Sequence, residues 1–465
     1  MSLNSPAAPQ PGGQGLGFEI RRTIVLALPL VIGQLTSFGM NFVDTVMAGR
    51  LGQIDLGAIA IGSSVWAAGL LFVIGVLITV SPVVSQYDGA GRRAQAGEAT
   101  RQAMWVALVL SLMMFVVMRN VEWIKQWLDV EPEVALLSIE YLRAISWGAP
   151  ALCLMLVLRT FSEGAGMTRP TMYVGILGIA LNIPLNYMLM FGKLGLPAMG
   201  AVGCGWATTI VFWIQLFALA LYIQVRPHYR EFALFSRFSR PNWTEIKGFL
   251  KIGLPIGVMI FFEGSLFVGA ALLIGTLGAL PIAAHQVAIN FASMAFMVPL
   301  GLAGAISVRV GNAMGRGDPE AARMAGLVGI GIAILFGVCS AMFMLLFPEA
   351  IARMYTPDRD VIELAAQLLL LAAVFQVADG MQAAAAGALR GLKDTRLPMV
   401  YSILSYWMIG MSTGWWLTFR EDFGPQGMWY GMIVGLCVAA VLMCTRFWRR
   451  TEALKTETYS IDLNR

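Results

Sequence analysis

Two acidic side chains lie in the middle of long apolar stretches, where an ionised group is costly to place. Glu263 follows Lys251 by twelve residues, about 18 Å of helix, and Asp379 precedes Arg390 by eleven residues. An ionised side chain at the centre of a membrane helix costs at least about 3 kcal/mol, so such residues usually serve transport. Two carboxyl groups that share a desolvated site can hold a cation or exchange a proton. We therefore predict that Glu263 and Asp379 bind a cation, the alternative being neutral acids that are hydrogen-bonded to a neighbouring helix.

A third acid, Asp44, lies closer to the end of an apolar stretch. It follows Arg22 by twenty-two residues, about 33 Å of helix, which places it near the opposite surface of a membrane. Asn182 and Asn186 are one helical turn apart and face the same way. These residues either form a polar pocket with Asp44 or join neighbouring helices, and their spacing is compatible with both.

The composition is that of a protein embedded in a lipid bilayer. Of 465 residues, 58% are hydrophobic and only 13% are charged, whereas soluble proteins carry charge on roughly a quarter of their residues. A bilayer core requires about 20 apolar residues per helix, and lipid offers no partner for an open strand edge. The sequence therefore predicts an all-α integral membrane fold with twelve transmembrane helices. They lie near 24–47, 57–86, 101–119, 134–161, 171–191, 201–224, 249–275, 282–309, 325–347, 361–390, 398–419 and 427–448.

The second half of the chain repeats the first at an offset of 226 residues. The offset stays nearly constant along much of each half, which chance does not readily produce. Because each half holds an even number of spans, both halves insert with the same orientation, and the binding site of such parallel repeats tends to lie between them. We therefore predict a transporter built from two pseudo-symmetric six-helix bundles. The matched positions include Pro29 with Pro255, Gly75 with Gly301, and Gly89 with Gly315.

The apolar stretches and the basic residues between them define the predicted organisation. It comprises a flexible N-terminal tail (1–20), an N-lobe (21–225), a cytoplasmic linker (226–248), a C-lobe (249–450) and a C-terminal tail (451–465). Lys and Arg are concentrated in the segments that lie on the same side of the membrane as the N-terminus. Since loops rich in these residues stay in the cytoplasm, both termini are predicted to be cytoplasmic.

Several classes of function are disfavoured by what the sequence lacks. The five cysteines are scattered through apolar segments, and two histidines are too few for zinc or haem chemistry. No phosphate-binding loop, catalytic triad or metal cluster is recognisable. The basic residues form short caps between apolar stretches, which is typical of membrane topology and not of nucleic-acid binding. We expect a transporter and not an enzyme, without a cofactor and driven by an ion gradient.

Several motifs of the chain resemble the multidrug and toxic compound extrusion (MATE) family, in its NorM branch. The resemblance extends from about residue 20 to residue 450. It implies twelve helices in two lobes that rock to expose a central cavity alternately to each side. The implied activity is export of cationic and amphipathic drugs across the cell inner membrane, in exchange for sodium or protons. The motifs are Pro29, FVDTVMAG at 42–49, LNIPLNY at 181–187, FFE at 261–263, AAHQVA at 283–288 and GALRG at 387–391.

The resemblance also assigns roles to particular residues. Glu263 and Asp379 correspond to the acids of the C-lobe cation site, and they would be the metal ligands if sodium is the coupling ion. Asp44, Asn182 and Asn186 correspond to a polar pocket in the N-lobe that also serves the cation. Positions that match Asp44, Ser64, Gln286 and Asp358 are associated with the bound drug cation.

The chain departs from the family in one respect. Sodium-coupled relatives can carry a tyrosine one turn before the C-lobe aspartate, where this chain has Phe375. The coupling ion is therefore left open between sodium and protons. The expected partners are small organic cations and membrane lipid, with no nucleic acid, and we expect a monomer. The alternative function is a flippase for a lipid-linked oligosaccharide in the same superfamily, which would show basic residues in its cavity in place of these acids.

Overall fold

The fold of the protein is described from a computed structural model that covers residues 15–122, 124 and 131–463. Within these ranges the chain is helical apart from short turns and contains no β-strand. The first half forms α1 (Leu16–Gly49), α2 (Gln53–Gly89), α3 (Arg93–Arg119), α4 (Pro132–Ser146 and Ala149–Gly164), α5 (Arg169–Phe191) and α6 (Gly200–Val225). The two parts of α4 meet at a bend of 50°.

The second half contains the same number of spans. They are α7 (Trp243–Gly275), α8 (Ala279–Gly315), α9 (Pro319–Leu346), α10 (Arg359–Gly391), α11 (Arg396–Phe419) and α12 (Pro425–Leu463). A short 3₁₀ helix at Pro227–Phe232 follows α6, and a short α-helix at Pro348–Arg353 precedes α10. Ten helices of the described chain are long and apolar enough to cross a membrane, or eleven if bent α4 is one span. The remaining span is α11, which a π-helical segment at Leu404–Met411 divides, and the predicted all-α fold of twelve spans is confirmed.

The sequence repeat is visible in the turns that join the helices. Gly52 connects α1 to α2 with a φ of 144°, and Gly278 connects α7 to α8 with a φ of 118°. Residues other than glycine rarely adopt this backbone region. The two glycines are 226 positions apart, so the repeat preserves a turn that requires glycine.

Helices α11 and α12 approach each other closely because α12 carries glycines one turn apart. A methyl group on Gly427 would lie 2.6 Å from the Thr418 backbone nitrogen, and one on Gly435 would lie 2.7 Å from the Ser405 carbonyl oxygen. Gly431, midway between them, is blocked in the same way by Gly414. Small residues at a spacing of four let membrane helices pack backbone to backbone. This contact holds the divided helix α11 in place.

The two halves meet where α2 and α8 reach the end of the molecule that carries the chain termini. Gly89 has no room for a side chain against the Asn312 carbonyl oxygen, and Gly315 has none against the Gln86 carbonyl oxygen. The offset of 226 relates these contacts to each other. Gly311, which has no room for a side chain against the Ser85 hydroxyl, is itself the repeat partner of Ser85, so the pseudo-twofold axis passes between these two residues.

Side-chain hydrogen bonds between the halves occur at this same end. Arg309 of α8 donates to Glu19 of α1 through Nε at 2.9 Å and through Nη2 at 2.5 Å, and both side chains are buried. In the part of the chain that the structure describes, the other side-chain hydrogen bonds between the halves lie here too. They run from Gln86 Nε2 to the Gly391 oxygen at 2.8 Å and from Asn312 Nδ2 to Asp88 Oδ2 at 3.3 Å.

Three helix ends differ from the sequence prediction. Helix α1 begins at Leu16, inside the predicted tail, and α7 begins at Trp243, where the Asn242 side chain caps it. Helix α12 continues to Leu463 through the region predicted as a C-terminal tail. Apolar stretches mark only the part of a helix that lies in lipid, so they miss polar turns beyond the membrane. Ion pairs from Glu452 to Arg323 and from Lys455 to Glu320 attach the extension of α12 to α9.

Candidate cation and substrate sites

Asp44, on α1, is held in a buried polar pocket of the first half. The Asn182 side-chain amide donates to Asp44 Oδ1 at 3.0 Å, and that of Asn186 donates to the same oxygen at 2.5 Å. Asn186 also donates to Asn182 Oδ1 at 3.2 Å. Asp44 is 8% exposed, and both asparagines are fully buried. Of the two possibilities that the spacing left open, the structure has the one in which Asn182 and Asn186 form a pocket with Asp44.

Two further residues border this pocket. Cys204 of α6 is fully buried with its thiol beside the Asp44 carboxyl, and Tyr141 of α4 lies within electrostatic range of both. Sequence reasoning missed these residues, because a cysteine or a tyrosine in an apolar stretch is usually a packing residue. Four helices therefore contribute to the surroundings of one carboxylate.

The acids of the second half lie near each other on α7 and α10. Asp379 is 3% exposed, whereas Glu263 is half-buried, and their carboxyl groups repel each other when both are ionised. Arg390 is 6% exposed and attracts Glu263 electrostatically. The structure therefore brings together the two acids that the sequence singled out and adds a buried cationic side chain.

The side chains around Asp379 include several polar groups without a protein partner. Asp379 Oδ1 accepts no hydrogen bond. We call the following buried residues of α10 and α11 the α10–α11 polar cluster, since each has at least one buried side-chain oxygen with no hydrogen-bond partner in the described chain. They are Gln376, Asp379, Gln382, Ser402, Ser405 and Tyr406.

Phe375, one turn before Asp379, has apolar surroundings. Its ring packs edge-on against Phe267, with centroids 5.9 Å apart, and against Trp429 at 5.6 Å. The side chain is 2% exposed. Phe375 therefore contributes packing and no oxygen ligand.

The acids alone do not form a metal-binding cluster. Among the residues that the structure describes, no three or more His, Cys, Asp or Glu side chains are grouped to hold a metal ion. A sodium ion held by Glu263 and Asp379 would need further oxygens, because hard cations bind several oxygen ligands. Amide and hydroxyl oxygens of the α10–α11 polar cluster are of the required type.

Three further residues are expected to contact the drug cation, and in the described chain none of them forms a side-chain hydrogen bond with Asp44, Glu263 or Asp379. Ser64 on α2 and Gln286 on α8 are exposed, and the Ser64 hydroxyl donates to the Ala60 oxygen of its own helix at 2.7 Å. Asp358 caps α10, where its Oδ1 accepts from the Asp360 nitrogen at 3.0 Å and from the Val361 nitrogen at 3.5 Å. Their roles in binding the drug cation remain predictions.

Comparison with known proteins agrees with this architecture. The MatE family profile matches residues 29–188 and again residues 255–416, which reproduces the internal repeat. The multidrug resistance protein NorM of Aliivibrio fischeri is 42% identical over 437 residues, covering 92% of this chain and 95% of that protein. The multidrug resistance protein PmpM of Pseudomonas aeruginosa is 42% identical over 470 residues, covering 98% of each chain.

Solved structures show the same fold at lower sequence identity. An outward-facing multidrug resistance MATE family transporter of the MOP superfamily superposes with a TM-score of 0.87 at 20% identity, covering 96% of this chain and 100% of that one. A eukaryotic MATE transporter superposes with a TM-score of 0.84, also at 20% identity, with the same coverage. The duplicated family match and the near-full-length relatives establish that the chain belongs to the MATE family of membrane transporters, in its NorM branch.

Proposed function

We propose that this protein is an antiporter that exports small organic cations and amphipathic drugs in exchange for sodium ions or protons. The observation that carries the proposal is the pair Glu263 and Asp379, two acids at mid-span on separate helices. Similar relatives are named multidrug resistance proteins. Asp379 Oδ1 accepts no hydrogen bond in the described chain, and a buried carboxyl oxygen without a donor suits a site that binds and releases a cation.

The contacts between the halves support alternating access. Their side-chain hydrogen bonds and the glycine contacts of α2 with α8 lie at the end of the molecule that carries the chain termini. With cytoplasmic termini, as the distribution of Lys and Arg predicts, this conformation is closed to the cytoplasm. Rocking of the two halves would break these contacts and open the central cavity inward.

The charge of the buried side chains supports cationic substrates. Asp44 in the first half and Glu263 in the second are both acidic, and an acid stabilises a desolvated cation. Aromatic side chains add attraction for an organic cation through their ring faces. We propose that Asp44, Ser64, Gln286 and Asp358 contact the drug in a monomeric protein of the cell inner membrane.

The alternative of a flippase for a lipid-linked oligosaccharide has less support. Recognition of a pyrophosphate requires uncompensated basic groups. The buried guanidinium of Arg390 lies within electrostatic range of an acid, Glu263. The buried side chains of Asp44 and Asp379 are acids, which offer no positive charge to a pyrophosphate.

Transport in reconstituted vesicles tests the proposal. Ethidium-type dye efflux is measured under separately imposed sodium and proton gradients, in vesicles of parent protein and of Glu263→Gln. We expect accumulation driven by at least one gradient in the parent and almost none in the variant. Equal transport by the two proteins, or transport limited to anionic compounds, would contradict the proposal.

A further inference from the structure

A cleft of about 580 Å³ lies between the two halves, at the end of the molecule that carries the chain termini. It is bordered by α1 of the first half, by α8 of the second, and by the turn after α4. Ligand pockets in proteins are commonly of this size. None of the residues proposed to bind the coupling cation or the drug lines this cleft. The residues that line it include Phe18, Arg21, Arg22, Val25, Asp88 and Arg309.

The two acids at this cleft are already bonded to arginine side chains. Arg309 donates to both carboxylate oxygens of Glu19, at 2.9 Å through Nε and at 2.5 Å through Nη2. Arg93 donates to Asp88 Oδ1 through Nε at 2.8 Å. The negative charges beside the cleft are therefore compensated within the protein.

Arg21 and Arg22 line the same cleft, and the salt bridges around it in the described chain leave both guanidinium groups without a bonded acid. Arg22 is half-buried and stacks on the Phe18 ring, with its guanidinium carbon 4.6 Å from the ring centroid. It also lies within electrostatic range of two further arginines, Arg309 and Arg316. Because like charges repel each other, a bound anion would stabilise this group of arginines.

The outer edge of the cleft continues into the lipid-facing surface of α1. Val25, which lines the cleft, is 59% exposed, and Leu28 on the same helix is also 59% exposed. Arg21 and Arg22 come just before the apolar stretch that is predicted to begin at residue 24, at the level of the lipid headgroups on the predicted cytoplasmic side. A phospholipid can place its phosphate on the arginines and an acyl chain along Val25, whereas a soluble anion gains nothing from the apolar edge.

The chemistry of the cleft matches a phosphate group. Guanidinium groups bind phosphate oxygens through paired hydrogen bonds, and basic pockets between membrane helices on the cytoplasmic side bind anionic headgroups. The repeat does not account for these arginines. Position 248 aligns with Arg22 and is glycine, and position 83 aligns with Arg309 and is valine.

We propose that this cleft binds the headgroup of an anionic phospholipid, with Arg21 and Arg22 contacting its phosphate. Since α1 and α8 belong to different halves, the bound headgroup bridges the halves and favours the conformation in which these helix ends are in contact. The site is separate from those proposed for the cation and the drug, so it adds a binding function to the proposed transport.

Thermal unfolding of the purified protein in detergent is the direct test, with phosphatidylglycerol, phosphatidylcholine or inorganic phosphate added at constant ionic strength. We expect phosphatidylglycerol to raise the melting temperature of the parent more than the other two additions do. Combining Arg21→Gln with Arg22→Gln should raise the half-saturating concentration of phosphatidylglycerol by about tenfold. The matched control is Arg119→Gln at the opposite end of α3, because Arg119 stacks on Phe115 as Arg22 stacks on Phe18. Its response should equal that of the parent.

Three results would overturn the inference. Equal stabilisation by phosphatidylcholine would show that the charge of the headgroup is not recognised, and equal stabilisation by inorganic phosphate would assign the cleft to a soluble anion. A double variant that melts lower without lipid, yet responds to phosphatidylglycerol like the parent, would give the arginines a structural role only. If the double variant does not fold, Arg22→Gln alone should weaken the response in the same direction, by about fivefold.

Native mass spectrometry provides an independent measurement. The parent should retain one phosphatidylglycerol molecule more than the double variant, and equal retention would contradict the site. Neither measurement depends on transport. Failure to export any organic cation would therefore overturn the proposed function and leave the lipid site standing.

Discussion

The buried acid of the first half and those of the second half have opposite surroundings. Asp44 accepts hydrogen bonds from Asn182 and Asn186, so amide groups of the protein itself stabilise its carboxyl group. Asp379 lies among oxygens that have no partner, although it is as deeply buried. The Asp44 carboxyl group therefore has hydrogen-bond donors, whereas Asp379 Oδ1 has none in the described chain; in the first pocket it is Asn186 Oδ1 that lacks a partner. This difference suggests that the first half holds a carboxylate in place while the second half binds and releases an ion.

The buried acids are not part of the repeat, since the residues aligned with them in the other half are not acidic. Position 270 aligns with Asp44 and is alanine, and position 37 aligns with Glu263 and is serine. Thr168 aligns with Thr395 at an offset of 227, and at that offset Leu152 aligns with Asp379. The repeat therefore preserves the arrangement of the helices, whereas the buried polar residues differ between the two halves.

The largest expected effect is that of Glu263→Gln. The substitution keeps the shape of the side chain but removes the ionisable group that we propose binds the cation and that attracts the buried Arg390. We expect dye efflux to fall by about 100-fold or more with normal expression. The control is Glu245→Gln, at an exposed position in the first turn of the same helix. If Glu263→Gln exported the dye at the parent rate, the acids of the second half would have no role in coupling.

Asp44→Asn is expected to have an intermediate effect. The asparagine oxygen can still accept hydrogen bonds from Asn182 and Asn186, so the pocket is retained while its charge is lost. Hydrogen bonds to charged groups contribute about 1.5–3 kcal/mol, and we expect efflux of a cationic dye to fall about tenfold. Asp318→Asn is the control, because asparagine also caps helices well at the start of α9. A loss equal to that of Glu263→Gln would show that the two halves contribute alike.

A matched pair of amide substitutions tests the comparison through stability. Asn186→Ala removes a donor to Asp44 and should destabilise the protein by about 1–3 kcal/mol. Gln376→Met removes an amide whose oxygen and nitrogen both lack a partner, so it should leave the melting temperature in choline chloride unchanged or higher. Thermal unfolding of both variants in one buffer decides the matter. Equal destabilisation by the two substitutions would mean that both sites depend equally on hydrogen bonds within the protein.

The smallest effect is expected from Phe375→Tyr. The ring keeps its edge-on contacts with Phe267 and Trp429, and the added hydroxyl contributes about 1 kcal/mol at most if it reaches the bound ion. Sodium-driven efflux should be unchanged or up to about fivefold stronger at low sodium. A clear loss of sodium dependence would show that the second half has no place for another oxygen.

Much of the fold could be predicted because lipid imposes simple rules on the sequence. The twelve spans follow from apolar length, and their division into two equal halves follows from the repeat. Glu263 and Asp379 were found because a charge in an apolar stretch is conspicuous. Helix α11 was predicted as an uninterrupted span, since no residue type in Leu404–Met411 indicates a π-helical segment.

The rest of the site could not be predicted because its members are ordinary residues of membrane helices. Tyrosine and cysteine are common in apolar stretches, and only burial near an acid distinguishes Tyr406 and Cys204. Arg390 ends the predicted span 361–390, and no sequence pattern indicates that it is buried within electrostatic range of Glu263. Distances across the bundle depend on how the helices cross, and a linear pattern does not contain that information.

The contact of Ser85 with Gly311 on the pseudo-twofold axis has an evolutionary consequence. Gly89 meets the carbonyl group of Asn312, and Gly315 meets that of Gln86, so each half presents the same surface to the other, as in an isologous homodimer. Such an interface survives duplication and fusion of a gene, because each copy brings both sides of the contact. The asymmetric chemistry of the two lobes can then diverge without disturbing the surface along which they move.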